Sequence, residues 1–170
     1  SAASDVYKRQ VLMAMFSLLM FPLLFACSNS QSQGVEAIKA KGKLVVALNP
    51  EFAPFEYQKL VDGKNQIVGS DVELAKAIAK ELGVEVEFSP MSFDNVLASL
   101  DSGKADLAIS GVSKTEERSQ VYDFSIPYYT SKNKVIVRKS ELTNYQSVKD
   151  LAQKKVGAQK GSIPVSYTHL

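Results

Sequence analysis

The sequence predicts an α/β fold on a mainly parallel sheet, and three stretches carry that prediction. Residues 105–109 (ADLAI) form an apolar run too short for a helix, bounded by Gly103 and Gly111, and read as a buried strand. Residues 43–48 (KLVVAL) are too apolar to face water on one side, which places them centrally in a sheet. Between them, Leu74, Ala75, Ile78 and Leu82 recur at helical spacing, with Lys76, Lys80 and Glu81 on the wet side. The resulting β-α-β-α-β alternation implies parallel strands covered by helices.

Taken in order, residues 35–41 suit a short helix stopped at Gly42. After the 43–48 strand, Pro50 and Pro54 stiffen a loop that holds Phe52 and Phe55 at the strand's C-terminal end. Ligands bind at that edge of open α/β sheets. Phe52 therefore walls a pocket or plugs the core. Residues 56–58 and 66–68 flank Asp62-Gly63 as a hairpin. Residues 70–82 are the clearest helix, with Ser70 and Glu73 as a capping box and Gly83 as its stop. Val84, Val86 and Phe88 alternate with Glu85 and Glu87 as a half-buried strand. Ser92 caps a helix carrying Phe93, Val96, Leu97 and Leu100, ended by Gly103. Residues 121–129 (VYDFSIPYY) are extended and aromatic, and Pro127 excludes a helix. Residues 133–138 predict a strand, 147–153 a short helix, and 155–158 a strand entering Gly161-Ser162, the start of a second sheet.

The stretch 105–118 (ADLAISGVSKTEER) organises the rest. Its strand turns at Ser110-Gly111 and restarts as a helix, with Ser113 at the N-cap and Glu116 three residues on. A helix N-terminus presents unpaired N–H groups and a positive dipole end, a seat for an anion. Arg118 opposes that dipole. It suits a fork onto a carboxylate, which lysine cannot imitate, and it equally suits a solvated arginine on a surface helix. Ser110, Gly111 and Ser113 likewise fit an ordinary turn and cap.

The 170 residues allow one domain, or one and part of another, with an ordinary soluble composition of 45% hydrophobic and 22% charged residues. Setting aside Lys8, Arg9 and Asp5 leaves 18 basic and 17 acidic side chains of 20 and 18, a balance that argues against a nucleic-acid partner. Lys8-Arg9 followed by the apolar run 11–26 has the layout of a secretory signal, too short and Pro22-interrupted for a membrane span. LFAC at 24–27 resembles a lipoprotein cleavage box. Cys27, the only cysteine, is then the lipid-bearing N-terminus, and SNSQSQG at 28–34 its tether. Residues 1–7 and 164–170 follow no element pattern and read as flanking sequence. His169 is the only histidine and lies in that tail, so no Ser-His-Asp or Cys-His nucleophile and no zinc cluster is predicted. There is no Walker loop or GxGxxG motif. The carboxylates read as solvated charge on helix faces and turns.

Together, NPEFAPFEY (49–57), GSDVELAKAIAKELG (69–83), ADLAISGVSKTEER and YDFSIPYY (122–129), in this order and spacing, resemble the extracytoplasmic solute-binding proteins of polar amino-acid ABC transporters. The resemblance implies a periplasmic-binding-protein-like type II fold, two lobes with mainly parallel sheets joined by a hinge. Residues 1–27 would be the signal with its flank, 28–34 the tether, 35–130 the first lobe, and 131–170 the hinge and an incomplete second lobe. The hinge falls near 128–133. The resemblance also implies a free amino acid as ligand, an ABC permease as partner, membrane attachment through the lipid on Cys27, an extracytoplasmic location, and neither cofactor nor metal.

By position, Arg118 would grip the ligand α-carboxylate with Ser113 and the helix N-terminus. Ser110 or Gly111 would accept from its α-ammonium through a backbone or hydroxyl oxygen. Asn49, Phe52 and Phe93 would line the side-chain pocket, and Gln159, Gly161, Ser162 and Ile163 would add contacts from the second lobe. An acidic residue often stands at the position of Asn49, so this neutral residue does not select a basic ligand by charge. An aromatic is common at Ser70. The family's second-lobe aspartate for the ammonium falls beyond Leu170, so the chain by itself is expected to bind weakly or not at all. Alternatives on the same scaffold are a sensor module and an enzyme resembling cyclohexadienyl dehydratase.

Overall fold

A computed structural model describes residues 34–165. The readings made for the signal segment, Cys27, most of the tether and His169 lie outside the described residues. Contacts divide the chain between Ala37 and Ile38. Of the first unit only Gly34–Ala37 is described, a turn and the opening residues of a short helix, α1 (Val35–Lys41).

The second unit is organised around β1 (Lys43–Leu48). This strand lies between β5 (Glu85–Pro90) and β6 (Leu107–Ala108), both parallel to it, with Val46 opposite Phe88 on one side and Leu107 on the other. Every residue from Leu44 to Leu48 is buried, as the unbroken apolar run demands of a strand covered on both faces. Strand side chains alternate. Leu44 and Val46 pack with Ala75 and Ala79 of α2 (Ser70–Leu82), whereas Val45 and Ala47 pack with Val96 of α3 (Phe93–Asp101). One helix thus covers each face.

A smaller antiparallel sheet branches off after β1. It contains β2 (Glu51–Phe52), β3 (Glu56–Val61) and β4 (Lys64–Val68). Asp62 and Gly63 both take positive φ, 49° and 73°, as a tight two-residue hairpin requires. β2 has no sequence signature, because two residues are too few to show a period.

Two caps differ from expectation. Ser70 is the first helical residue of α2 and makes no capping bond; Gly69 precedes it. The amides of Ser70 and Asp71 already donate to the carbonyls of Pro54 and Phe55, so no side chain is needed there. After β6 the helix is a single turn, α4 (Glu116–Ser119), capped by Thr115, whose Oγ1 accepts from the Arg118 amide at 3.2 Å. Ser113 is not the cap. One turn also carries little dipole, which removes most of the helix term expected for an anion.

From 121 to 138 the chain has no regular element. The strands predicted at 133–138 and 155–158 do not form, and the helix predicted at 147–153 is a 3-10 turn, Val148–Leu151, held by a Ser147–Asp150 capping box. Another 3-10 turn spans Lys139–Asn144. Strands need partners, and among the described residues none pairs with 133–138. Ile136 is 96% exposed.

Candidate functional site

The C-terminal ends of β1 and β6 lie side by side, so Asn49 meets Ser110. The Asn49 amide donates to Ser110 Oγ at 2.9 Å, and Ser110 Oγ donates to Glu56 Oε1 at 2.7 Å. Asn49 is buried, and both polar atoms of its side chain are bonded: Nδ2 donates to the Met91 carbonyl at 3.0 Å and Oδ1 accepts from Gln159 Nε2 at 3.1 Å. Ser110 is buried as well. Its hydroxyl is engaged within the core, so of the two kinds of oxygen expected to face an ammonium the hydroxyl is already taken.

Gly111 follows with φ 57°. Phe52 stands over it so closely that a Cβ there would lie 2.9 Å from Phe52 Cε1. Phe52 is half-exposed and stacks on Phe55, ring centres 5.2 Å apart, while Phe55 meets Tyr129 edge-on at 4.8 Å. This is an aromatic wall at the sheet edge, not a core plug. Phe93, the first residue of α3, is half-buried.

Arg118 is half-buried and held at both ends of its guanidinium. Nη1 donates to the Ser113 carbonyl and Nη2 to the Gly161 carbonyl, each at 2.8 Å. Ser113 therefore enters through its backbone. Lys160 pairs with Asp94 at 2.7 Å, beside Phe93, and Gly161 sits against the Asp94 backbone. Ser162 Oγ donates to the Gln159 carbonyl, closing the turn that delivers these residues. The structure thus brings Asn49, Phe52, Ser110, Gly111, Ser113 and Arg118 to one edge and joins Gln159 and Gly161 to it. No ring contact or side-chain hydrogen bond ties Phe93 to them.

Two carboxylates are buried, against the expectation of solvated charge. Glu56 and Asp71 are 0% and 1% exposed. Burial pushes the Glu56 carboxyl up to about 8, against the lowering effect of the Ser110 hydroxyl and with the help of neighbouring Asp71. Asp71 Oδ2 accepts from the Tyr128 hydroxyl at 2.8 Å and from the Gly111 amide at 3.3 Å. Burial, then the bond to Asp71, raises the Tyr128 phenol. Glu56 opens an exposed-looking hairpin and Asp71 fits a helix's first turn, so neither position signals burial. Among the described residues, no group of three or more His, Cys, Asp or Glu is placed to hold a metal ion, and no helix is long and apolar enough to cross a membrane.

The model of the bacterial extracellular solute-binding proteins, family 3, matches residues 44–162, which span all of this geometry. The chain belongs to that family. This family-3 chain is 41% identical over 156 residues to the arginine-binding extracellular protein ArtP of Bacillus subtilis, covering 92% of this chain and 57% of ArtP. It is 36% identical to the L-cystine-binding protein TcyJ of Escherichia coli, covering 91% and 57%. Among solved structures it resembles the amino acid ABC transporter substrate-binding protein AbpA of Streptococcus pneumoniae bound to L-arginine. That match has 80% identity and a TM-score of 0.74 and covers 79% of this chain and 56% of AbpA. The chain spans about half the length of the curated relatives it matches. The type II periplasmic-binding-protein-like fold is that of these neighbours.

Proposed function

We propose that the chain is the ligand-gripping part of an extracytoplasmic binding protein that delivers a free amino acid to an ABC importer, with L-arginine as the first ligand. Residues 35–130 form the first lobe, 128–133 the hinge, and 131–170 the start of a second lobe. Lipidation at Cys27 and the tether after it would keep the protein at the membrane surface. The reading rests on Arg118, a guanidinium fixed at the sheet edge between the turns at Ser113 and Gly161. Its remaining N–H donors suit the ligand carboxylate.

With the Ser110 hydroxyl committed to the core, the ammonium would meet backbone carbonyls of the 110–111 turn. Phe52 offers its face to the ligand side chain, a suitable wall for a guanidinium even with neutral Asn49. The arginine-bound relative at 80% identity supports that ligand. A binding role, not catalysis, fits the carboxyls: a general acid must reach substrate, and Glu56 is sealed behind Ser110.

The test is calorimetric titration of L-arginine into two proteins: the 170-residue chain, and that chain fused to the part of AbpA it does not cover. The fusion is expected to bind with an affinity on the order of micromolar, and the unfused chain weakly or not at all. Failure of the fusion to bind any amino acid overturns the reading. So does unchanged affinity in Arg118→Ala.

A further inference from the structure

Glu56 and Asp71 each carry one buried oxygen, Glu56 Oε2 and Asp71 Oδ1, that finds no hydrogen-bond partner. The other oxygen of each is engaged, Glu56 Oε1 by Ser110 and Asp71 Oδ2 by Tyr128 and Gly111. The two side chains close on adjacent residues of one turn, Glu56 on Ser110 and Asp71 on Gly111. Two ionised carboxylates in that position would repel, and each orphan oxygen would bear its full desolvation cost.

We propose that one proton, carried on Glu56 and donated to Asp71, joins the two carboxyls and so positions the 110–111 turn against β1. The proposal rests on the amino-acid reading only in calling that turn a ligand seat. The proton completes a chain of bonds. It runs from the Asn49 amide through Ser110 Oγ and Glu56 to Asp71, and from there to the Gly111 amide and the Tyr128 hydroxyl. Five segments meet in it: the end of β1, the 110–111 turn, the start of β3, the first turn of α2, and the stretch leading to 128.

The groups that act on Glu56 are Ser110 and Asp71, with the Tyr128 phenol on the far side of Asp71; no cation is among them. Loss of the proton therefore leaves two negative charges whose hydrogen-bond partners among the described residues are neutral, the Ser110 and Tyr128 hydroxyls and the Gly111 amide. The weakest member of the chain, the 3.3 Å bond from Gly111 to Asp71, is the first to open. The raised titration of Glu56, near 8, is what this arrangement should produce. Glu56, Asp71 and Tyr128 are positioning residues, since none is offered to the ligand.

Two measurements on the full chain test it without any amino acid present. The first is isotope-edited infrared spectroscopy with carbon-13-labelled glutamate. A carboxylic-acid C=O band is expected at about pH 7, where ordinary glutamates are ionised, and it should vanish in Glu56→Gln. The second is amide hydrogen exchange at Gly111, corrected for the intrinsic pH dependence. Protection should fall about tenfold as pH passes to one unit above the titration of Glu56. In Glu56→Gln, whose amide donates permanently to Asp71, it should stay flat. Absence of the acid band in the wild-type chain overturns the proposal even if the variant does not fold. So does a variant whose Gly111 protection keeps the wild-type pH dependence. Neither outcome depends on ligand binding, so this proposal and the amino-acid reading fail separately.

Discussion

Replacing Gly111 by alanine should loosen the site through two separable effects. The residue sits at φ 57°, where an L side chain costs about 1–2 kcal/mol. The new Cβ would also lie 2.9 and 3.1 Å from Cε1 and Cδ1 of Phe52, closer than packed atoms tolerate. Phe52 is half-exposed and can swing away, but it then leaves its stack on Phe55. That adds about 0.5–1.5 kcal/mol for the ring pair and a similar amount for an off-rotamer side chain. The sum is about 2–5 kcal/mol, or a fall in Tm of roughly 4–20 °C for a chain of this size. Gly83→Ala is the control. Its φ is 71° and nothing lies within 4 Å of its Cβ position, so only the conformational cost applies. In a Phe52→Ala background, Gly111→Ala should drop to the cost of Gly83→Ala. Urea unfolding of the four variants and the parent measures this coupling. An equal cost for Gly111→Ala with and without the Phe52 ring would refute the placement of that wall.

Ser110→Ala should cost about 2–4 kcal/mol by urea unfolding, because it strands both the Asn49 amide and Glu56 Oε1 in the core; Ser113→Ala, which leaves the bonded carbonyl in place, should cost under about 0.5 kcal/mol. Glu56 binds its proton more tightly folded than unfolded, so the fold releases it later than the unfolded chain as pH rises. Its contribution should therefore be full below about 4.5, decline up to about 8, and be lost above that. Melting temperature against pH, wild type minus Glu56→Gln, should slope downward across that window, and an upward slope would contradict the sign. Lys160→Ala removes an ion pair whose lysine side chain is 87% exposed, and thermal unfolding should register almost no change.

The fold was readable where burial and period coincide. The run at 43–48 could only be a strand covered on both faces, and the apolar stripe of α2 marked its length to the residue. Caps were less readable. Ser70 has the right chemistry for a cap, but carbonyls from residues distant in sequence satisfy the same amides. The strands predicted at 133–138 and 155–158 failed because a strand is a property of a pair. Of the candidate site, Phe52, Gly111 and Arg118 were legible from a strand end or a broken local rule, and Asn49 only through the family resemblance. The site's inner members were not. Glu56 and Asp71 look like surface carboxylates until the hairpin and α2 fold them against Ser110, and no spacing rule reports a contact 54 residues apart in sequence.

Arg118 is where the chemistry of the guanidinium decides most. Two of its N–H donors reach carbonyls on segments 48 residues apart, Ser113 and Gly161, and this leaves a planar fork for a carboxylate. Lysine at the same place has three donors in all, so satisfying both carbonyls would leave one for the ligand. Arg118→Lys in the AbpA fusion should therefore keep the fold and lose one charge-assisted bond, about 1.5–3 kcal/mol, or roughly a 10- to 100-fold loss of affinity for L-arginine. Arg118→Ala should lose more. If lysine bound as tightly as arginine, the fork would be irrelevant and charge alone would hold the carboxylate. If alanine did, the ligand would sit elsewhere, and Arg118 would serve only to join the 113 turn to the 161 turn.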